Sequence, residues 1–224
     1  MKRVRTGLGL VTLLLGLLGG LAMGQSILVL SEQCNRSAAY FPAALAGLGF
    51  EFTEMNDDYE FFLALTEGGL WDLVIVDEYS TRLDWDTLDA IADYIAGGGR
   101  VYMNYWDWDE DLAATFEAEL GENYFEPVAI YPWDDGHPLF ATPNTLAALS
   151  PAADTCDSDG AYFQAVGNGL AVAGYTAESE AGQAAIIVGN EGRTVLFGGI
   201  LGLFSGDENG DGRADGLEFA ENAV

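Results

Sequence analysis

Asp72-Leu73-Val74-Ile75-Val76-Asp77 constrains this chain more than any other stretch: four consecutive apolar residues, three of them β-branched, closed at both ends by carboxylates. A strand with no apolar–polar alternation has no face for water, so it belongs inside a parallel sheet covered by helices on both sides. The flanking sequence alternates as such a sheet requires. Residues 26–30 read as a second buried strand, with an unbroken apolar run over 27–30. Residues 37–48 read as a helix stopped by Gly49, and residues 50–55 as a short strand. Asp57 and Asp58 open a helix over residues 59–66 that closes at Gly68-Gly69. Residues 83–96 carry apolar side chains at Trp85, Leu88, Ile91, Ala92 and Ile95, a helical period, and end at Gly97-Gly98-Gly99. A strand over 101–105 and a helix over 109–120, stopped by Gly121, follow. Strands joined by helices of this length imply right-handed crossovers, hence a doubly wound, mostly parallel α/β sheet. The second half is richer in β structure, with strands expected at 127–131, 161–166, 170–175, 184–188 and 194–197. Asn190-Glu191-Gly192 reads as a hairpin turn between the last two. No repeat or linker divides the chain, so residues 25–224 are expected to form one domain.

The first 24 residues have a different role. Lys2, Arg3 and Arg5 precede an apolar run over residues 8–18, and the small residues Ala22 and Gly24 follow. This is the pattern of a signal peptide cut between Gly24 and Gln25, which predicts a secreted protein, extracellular or periplasmic, with no membrane contact after cleavage. The formal net charge is −28, and cleavage of three N-terminal cations makes it more negative. Such a charge repels nucleic acid and anionic lipid and attracts cations. In an exported chain Cys34 and Cys156 are expected to be bridged or to be inert thiols.

In open α/β sheets, ligands bind beyond the carboxyl ends of the strands. The candidates there are Asp77, Glu78, Tyr105, Trp106 and Trp108, with Trp133 and His137 from a later loop. Aromatic faces among carboxylates suit a sugar or a cationic ligand, and the expected partner is a carbohydrate or a surface protein. Alternatively, the aromatics cap the sheet and the acids face water. An enzymatic alternative is an extracellular carbohydrate hydrolase using paired carboxylates, with Asp77 and Glu78 as the first pair to consider.

The C-terminal segment is more explicit. Asp207, Asn209, Asp211, Asp215 and Glu218 stand at positions 1, 3, 5, 9 and 12 of a twelve-residue loop, with Gly212 at position 6 and the Arg213 carbonyl at position 7. Hard oxygens at that spacing, a glycine for the turn and a terminal bidentate carboxylate predict one Ca2+ ion. The preceding residues 198–204 are glycine-broken and strand-like, and a short helix is expected over 217–222. The segment therefore resembles an isolated EF-hand or dockerin-type loop.

Trp71-Asp72-Leu73-Val74-Ile75-Val76-Asp77, then a helix, then Gly97-Gly98-Gly99-Arg100-Val101-Tyr102-Met103-Asn104, resembles the class I glutamine amidotransferase-like superfamily. Gly136-His137-Pro138-Leu139-Phe140 and Arg193-Thr194-Val195-Leu196-Phe197-Gly198-Gly199 resemble its non-catalytic secreted relatives. The likeness covers residues 26–204 and implies a flavodoxin-like sheet. Catalytic members carry a cysteine on a sharp glycine-flanked elbow, with a His and a Glu downstream. Here the corresponding strand runs into Asn104-Tyr105-Trp106-Asp107, and Cys34 lacks the elbow glycines. The expectation is a non-catalytic calcium-binding α/β module rather than an amidotransferase.

Overall fold

The computed structural model describes residues 25–32, 37–78, 82–124, 128–151 and 160–224. The expected signal peptide, Cys34 and Cys156 lie outside the described residues. The strands are β1 (Ile27–Glu32), β2 (Thr53–Met55), β3 (Leu73–Glu78), β4 (Val101–Asn104), β5 (Ala118–Tyr124), β6 (Tyr131–Pro132), β7 (Gly160–Ala165), β8 (Leu170–Gly174), β9 (Ala184–Gly189) and β10 (Thr194–Phe197). The helices are α1 (Tyr40–Leu48), α2 (Asp58–Glu67), α3 (Trp85–Ala96), α4 (Glu110–Thr115), α5 (Pro138–Ala141) and α6 (Asp215–Ala223).

The ten strands join one sheet in the order β2-β1-β3-β4-β10-β9-β7-β5, with β8 on β9 and β6 on β8. Pairing is parallel from β2 through β10 and antiparallel beyond it. With β10 in fifth place, the parallel part has the 2-1-3-4-5 order of flavodoxin-like sheets, and the order in which the chain adds strands reverses between β1 and β3.

Strand side chains alternate between the two faces, and this alternation divides the core. Ile27, Val29, Ile75, Tyr102 and Phe197 pack with Phe41, Leu45, Phe140 and Phe219 of α1, α5 and α6. Leu28, Leu30, Val74, Val76, Met103 and Leu196 pack with Phe61, Leu65, Leu88, Ile91 and Leu112 of α2, α3 and α4. The doubly wound α/β domain is therefore present, with its β-rich second half as the antiparallel extension.

Several boundaries follow the expected chemistry. Asp57 accepts from the Glu60 amide at 2.9 Å and starts α2. Gly49 ends α1 at φ 80, a left-handed conformation that costs glycine little. The turn Asn190-Glu191-Gly192 has φ of 53, 60 and 83, and it reverses the chain between β9 and β10.

Three expectations are corrected. The helix over 109–120 stops at Thr115. Glu117 turns left-handed at φ 59, and residues 118–124 become β5, which pairs with β7. Of the strand over 127–131, only Ile130, bridged to Leu149, and Tyr131, the start of β6, make ladder contacts among the described residues. The segment expected to be strand-like at 198–204 curls into a buried 3-10 turn at Leu201–Leu203.

Candidate functional site

The carboxyl ends of the central strands carry a buried polar row. Ser31 of β1 lies in register with Asp77 of β3, and Asp77 with Asn104 of β4. All three are buried, and Asp77 is 0% exposed. The Asn104 side-chain amide donates to Asp77 Oδ1 at 2.7 Å, and the Leu201 amide donates to Asn104 Oδ1 at 3.2 Å. Tyr102 stands two residues back on the same face. Its hydroxyl pKa is pushed well up by burial and by the nearby Asp77 carboxylate. Glu78 ends β3 in register with Glu32. Asp77 thus belongs to an internal network that ties β3, β4 and the turn after β10 together.

The aromatic candidates do not converge on this row. Tyr105 is fully buried, and its hydroxyl accepts from the Leu83 amide at 3.1 Å. Trp108, 5% exposed, stands edge-on to Phe116 and Phe163 with ring centroids 5.5 Å apart in both pairs. Trp106 is half-buried beside Tyr105 at 6.4 Å. These three pack on the α2–α3–α4 side of the sheet. Trp133 donates its indole N–H to the Thr176 carbonyl at 2.8 Å and lies over Gly174, where an added Cβ would stand 2.0 Å from the ring. His137 opens α5, its Nδ1 accepting from the Leu139 amide at 3.3 Å. Burial lowers the imidazole pKa, and Asp134 opposes that shift in part. Five of the seven residues are therefore sheet-capping or loop-pinning groups. Glu78 is placed only by its register, and Trp108 reaches an open cavity.

That cavity, of about 50 Å³, is lined by Arg82, Leu83, Trp85, Leu88, Asp107, Trp108 and Asp109. It adjoins a groove of about 190 Å³ between α3 and α4, walled by Trp85, Asp89, Asp109 and Asp111. Arg82 forms a two-pronged ion pair with Asp107, one arm at 2.8 Å. Trp85 counted as a core position in the helical period, yet it is 68% exposed. Its place as the first residue of α3, before the helix settles onto the sheet, was the available sign that the period need not hold there.

In the C-terminal loop Asp207 Oδ1 accepts from the Asp211 amide at 3.0 Å, and Asp207 Oδ2 from the Gly212 amide at 2.9 Å. Asn209 Oδ1 also accepts from the Asp211 amide, and the Asn209 side-chain amide donates to Glu218 Oε2 at 2.8 Å. Gly210 and Gly212 take φ of 75 and 89, which lets the chain close this tightly. Glu218, 2% exposed, lies in the first turn of α6. Its pKa is raised by burial and by Asp211, while Asn209 and Arg213 act the other way. Asp215 is turned elsewhere: its two oxygens accept from the Glu208 amide at 3.1 Å and the Ser150 amide at 3.3 Å. Burial nevertheless raises its pKa. Arg213 pairs with Glu221 and lies 3.7 Å from Glu218 Oε1. Among the described residues, no three His, Cys, Asp or Glu side chains are already gathered as a metal cage. Positions 1, 3 and 5 are linked by hydrogen bonds, position 3 is bonded to position 12, and position 9 is held apart.

No protein-family model matches the chain, and no curated protein matches it. Solved structures do. The N-terminal domain of mmIFT52 superposes with a TM-score of 0.54 at 13% identity, covering 88% of this chain and 93% of that one. A protein from Thermoplasma acidophilum assigned to GMP synthase gives 0.52 at 11% identity, covering 89% and 92%. PurLQS from Thermotoga maritima gives 0.50 at 12% identity, covering 90% and 98%. What the chain shares with these structures is the α/β fold, and at these identities the likeness concerns fold alone.

Proposed function

We propose that this protein is a secreted, non-catalytic α/β module that binds one calcium ion in loop 207–218 and a carbohydrate or protein partner at the carboxyl edge of its parallel strands. The observation that carries the calcium assignment is the bond between Asn209 and Glu218, which brings the third and twelfth loop positions together. Asp207, Asn209, Asp211 and Glu218 then supply side-chain oxygens and Arg213 its carbonyl, a hard-oxygen set suited to a hard cation. Asp215, held by the Glu208 and Ser150 amides, shapes the loop entry and reaches the ion through an intervening water. Export is supported by the charged start and apolar run of residues 1–24.

The non-catalytic assignment is supported by the polar row. The strand that would present a nucleophile ends at Asn104, bonded on both sides, and Asp77 is fully buried, so neither is placed to meet a substrate. Titration calorimetry of the metal-stripped full chain with calcium chloride tests the assignment. One site with saturable heat is expected, and no heat at millimolar calcium overturns it.

A further inference from the structure

We propose that the groove between α3 and α4, together with the cavity at its carboxyl-edge end, binds an arginine or lysine side chain presented by a basic segment of a partner protein. This deepens the assignment of that edge as the binding surface and is independent of the calcium loop. The groove offers one large aromatic face, Trp85, 68% exposed at its rim. The polar groups beside it are the carboxylates Asp89, Asp109 and Asp111 with the Thr115 hydroxyl, over a floor of Leu88, Ala92 and Leu112.

A carbohydrate hydroxyl both donates and accepts, and its binding sites mix donors with acceptors. This wall carries three carboxylates, which only accept when ionised, and an ammonium or guanidinium only donates. An exposed indole flanked by carboxylates adds cation–π attraction. A guanidinium already lies at the inner end: Arg82 is held by Asp107, and its pKa is raised chiefly by that pair, with smaller contributions from Tyr105 and Asp109. Trp108 completes the inner wall of the cavity, with its indole N–H buried. Charge disfavours a second copy of this chain as partner: at −28 the copies repel one another, and beyond residue 24 the chain has five scattered arginines and no lysine.

The test is a titration of the full chain with an end-blocked tri-arginine peptide, followed by the Trp85 indole resonance and by calorimetry, with a neutral glucose hexasaccharide in parallel. The peptide is expected to bind and shift Trp85. Trp85→Ala is expected to weaken binding about fivefold, since an exposed cation–π contact is being removed. Asp89→Asn and Asp111→Asn should each weaken it further than Glu180→Gln, an exposed acid outside the groove. Trp85 is an exposed first-turn residue, and an unchanged melting temperature verifies that the variant is folded. Equal peptide affinity in wild type and Trp85→Ala would reduce the attraction to diffuse surface charge and overturn the proposal. Trp85-dependent binding of the hexasaccharide without the peptide would overturn it too, while keeping the edge as the binding surface. Binding of neither probe removes both.

Discussion

Replacing Glu218 with Gln separates two opposed effects of one carboxylate. Without metal, Glu218 is buried at 2% exposure beside Asp211, and both burial and that neighbour disfavour its ionised form. A neutral Gln keeps an oxygen to accept from Asn209 and removes the repulsion, so the metal-free variant should melt at or slightly above metal-free wild type. With calcium the order reverses. Calcium sites of extracellular modules have Kd of about 0.1–1 mM. At an ion concentration ten times Kd, binding to the folded state alone adds about 1.4 kcal/mol. For a domain of this size that corresponds to a rise in Tm of roughly 3–6 °C. Gln cannot supply a bidentate anion, so the variant should lose most of that rise. Four thermal melts decide the matter, wild type and Glu218→Gln each stripped and with about 10 mM calcium, ten times the upper end of that Kd range. An equal calcium-induced rise in both proteins would refute the role given to Glu218.

Asn104→Leu should cost about 3 kcal/mol, because it strands the buried Asp77 oxygen and the Leu201 amide together; urea denaturation reads this, and a loss under about 1 kcal/mol would mean the row is not a clamp. His137 is held below its ordinary value near 6.5, so the unfolded chain binds more protons there and stability should fall as pH drops from about 6.5 toward 5. His137→Asn keeps an acceptor for the Leu139 amide and should flatten that slope, measured by melts at closely spaced pH.

The parallel half of the fold was legible because its physics is local. Unbroken apolar runs mark strands buried on both faces, and glycines and aspartates mark helix ends, so β1, β3, β4, α2 and α3 lie within a few residues of their expected places. The antiparallel extension was less legible. Residues 116–120 continue a helical pattern in composition, but the left-handed Glu117 and the ladder with β7 depend on contacts distant in sequence. The candidate site divides in the same way. The proposed calcium loop is a contiguous spacing, so the candidate ligands could be named from the sequence alone. Whether the aromatics that follow β4 face water depends on which side of the sheet each falls: Tyr105 and Trp108 turn into the core, whereas Trp85, counted as core, does not.

The loop and the sheet are not separate devices. Fraying of α6 without metal would be the expectation for a C-terminal helix on the surface, but Phe219 and Ala220 are fully buried. The Phe219 ring lies 5.5 Å from Phe197, 5.6 Å from Phe140 and 6.4 Å from Tyr102, so α6 closes the sheet face that carries the polar row. Asn222 and Glu221 fasten it further through Asn144. Releasing α6 would open that face, a loss on the scale of a core-aromatic deletion, about 3–5 kcal/mol. The repulsion among the loop acids falls instead on residues 207–212, which are exposed and joined to the body mainly through Asp215, Ser150 and Glu208. At the proposed site, calcium would have a short exposed loop to order and an already docked helix to act through, so its effect should appear in the melting of the whole domain and not as a local transition at the C-terminus.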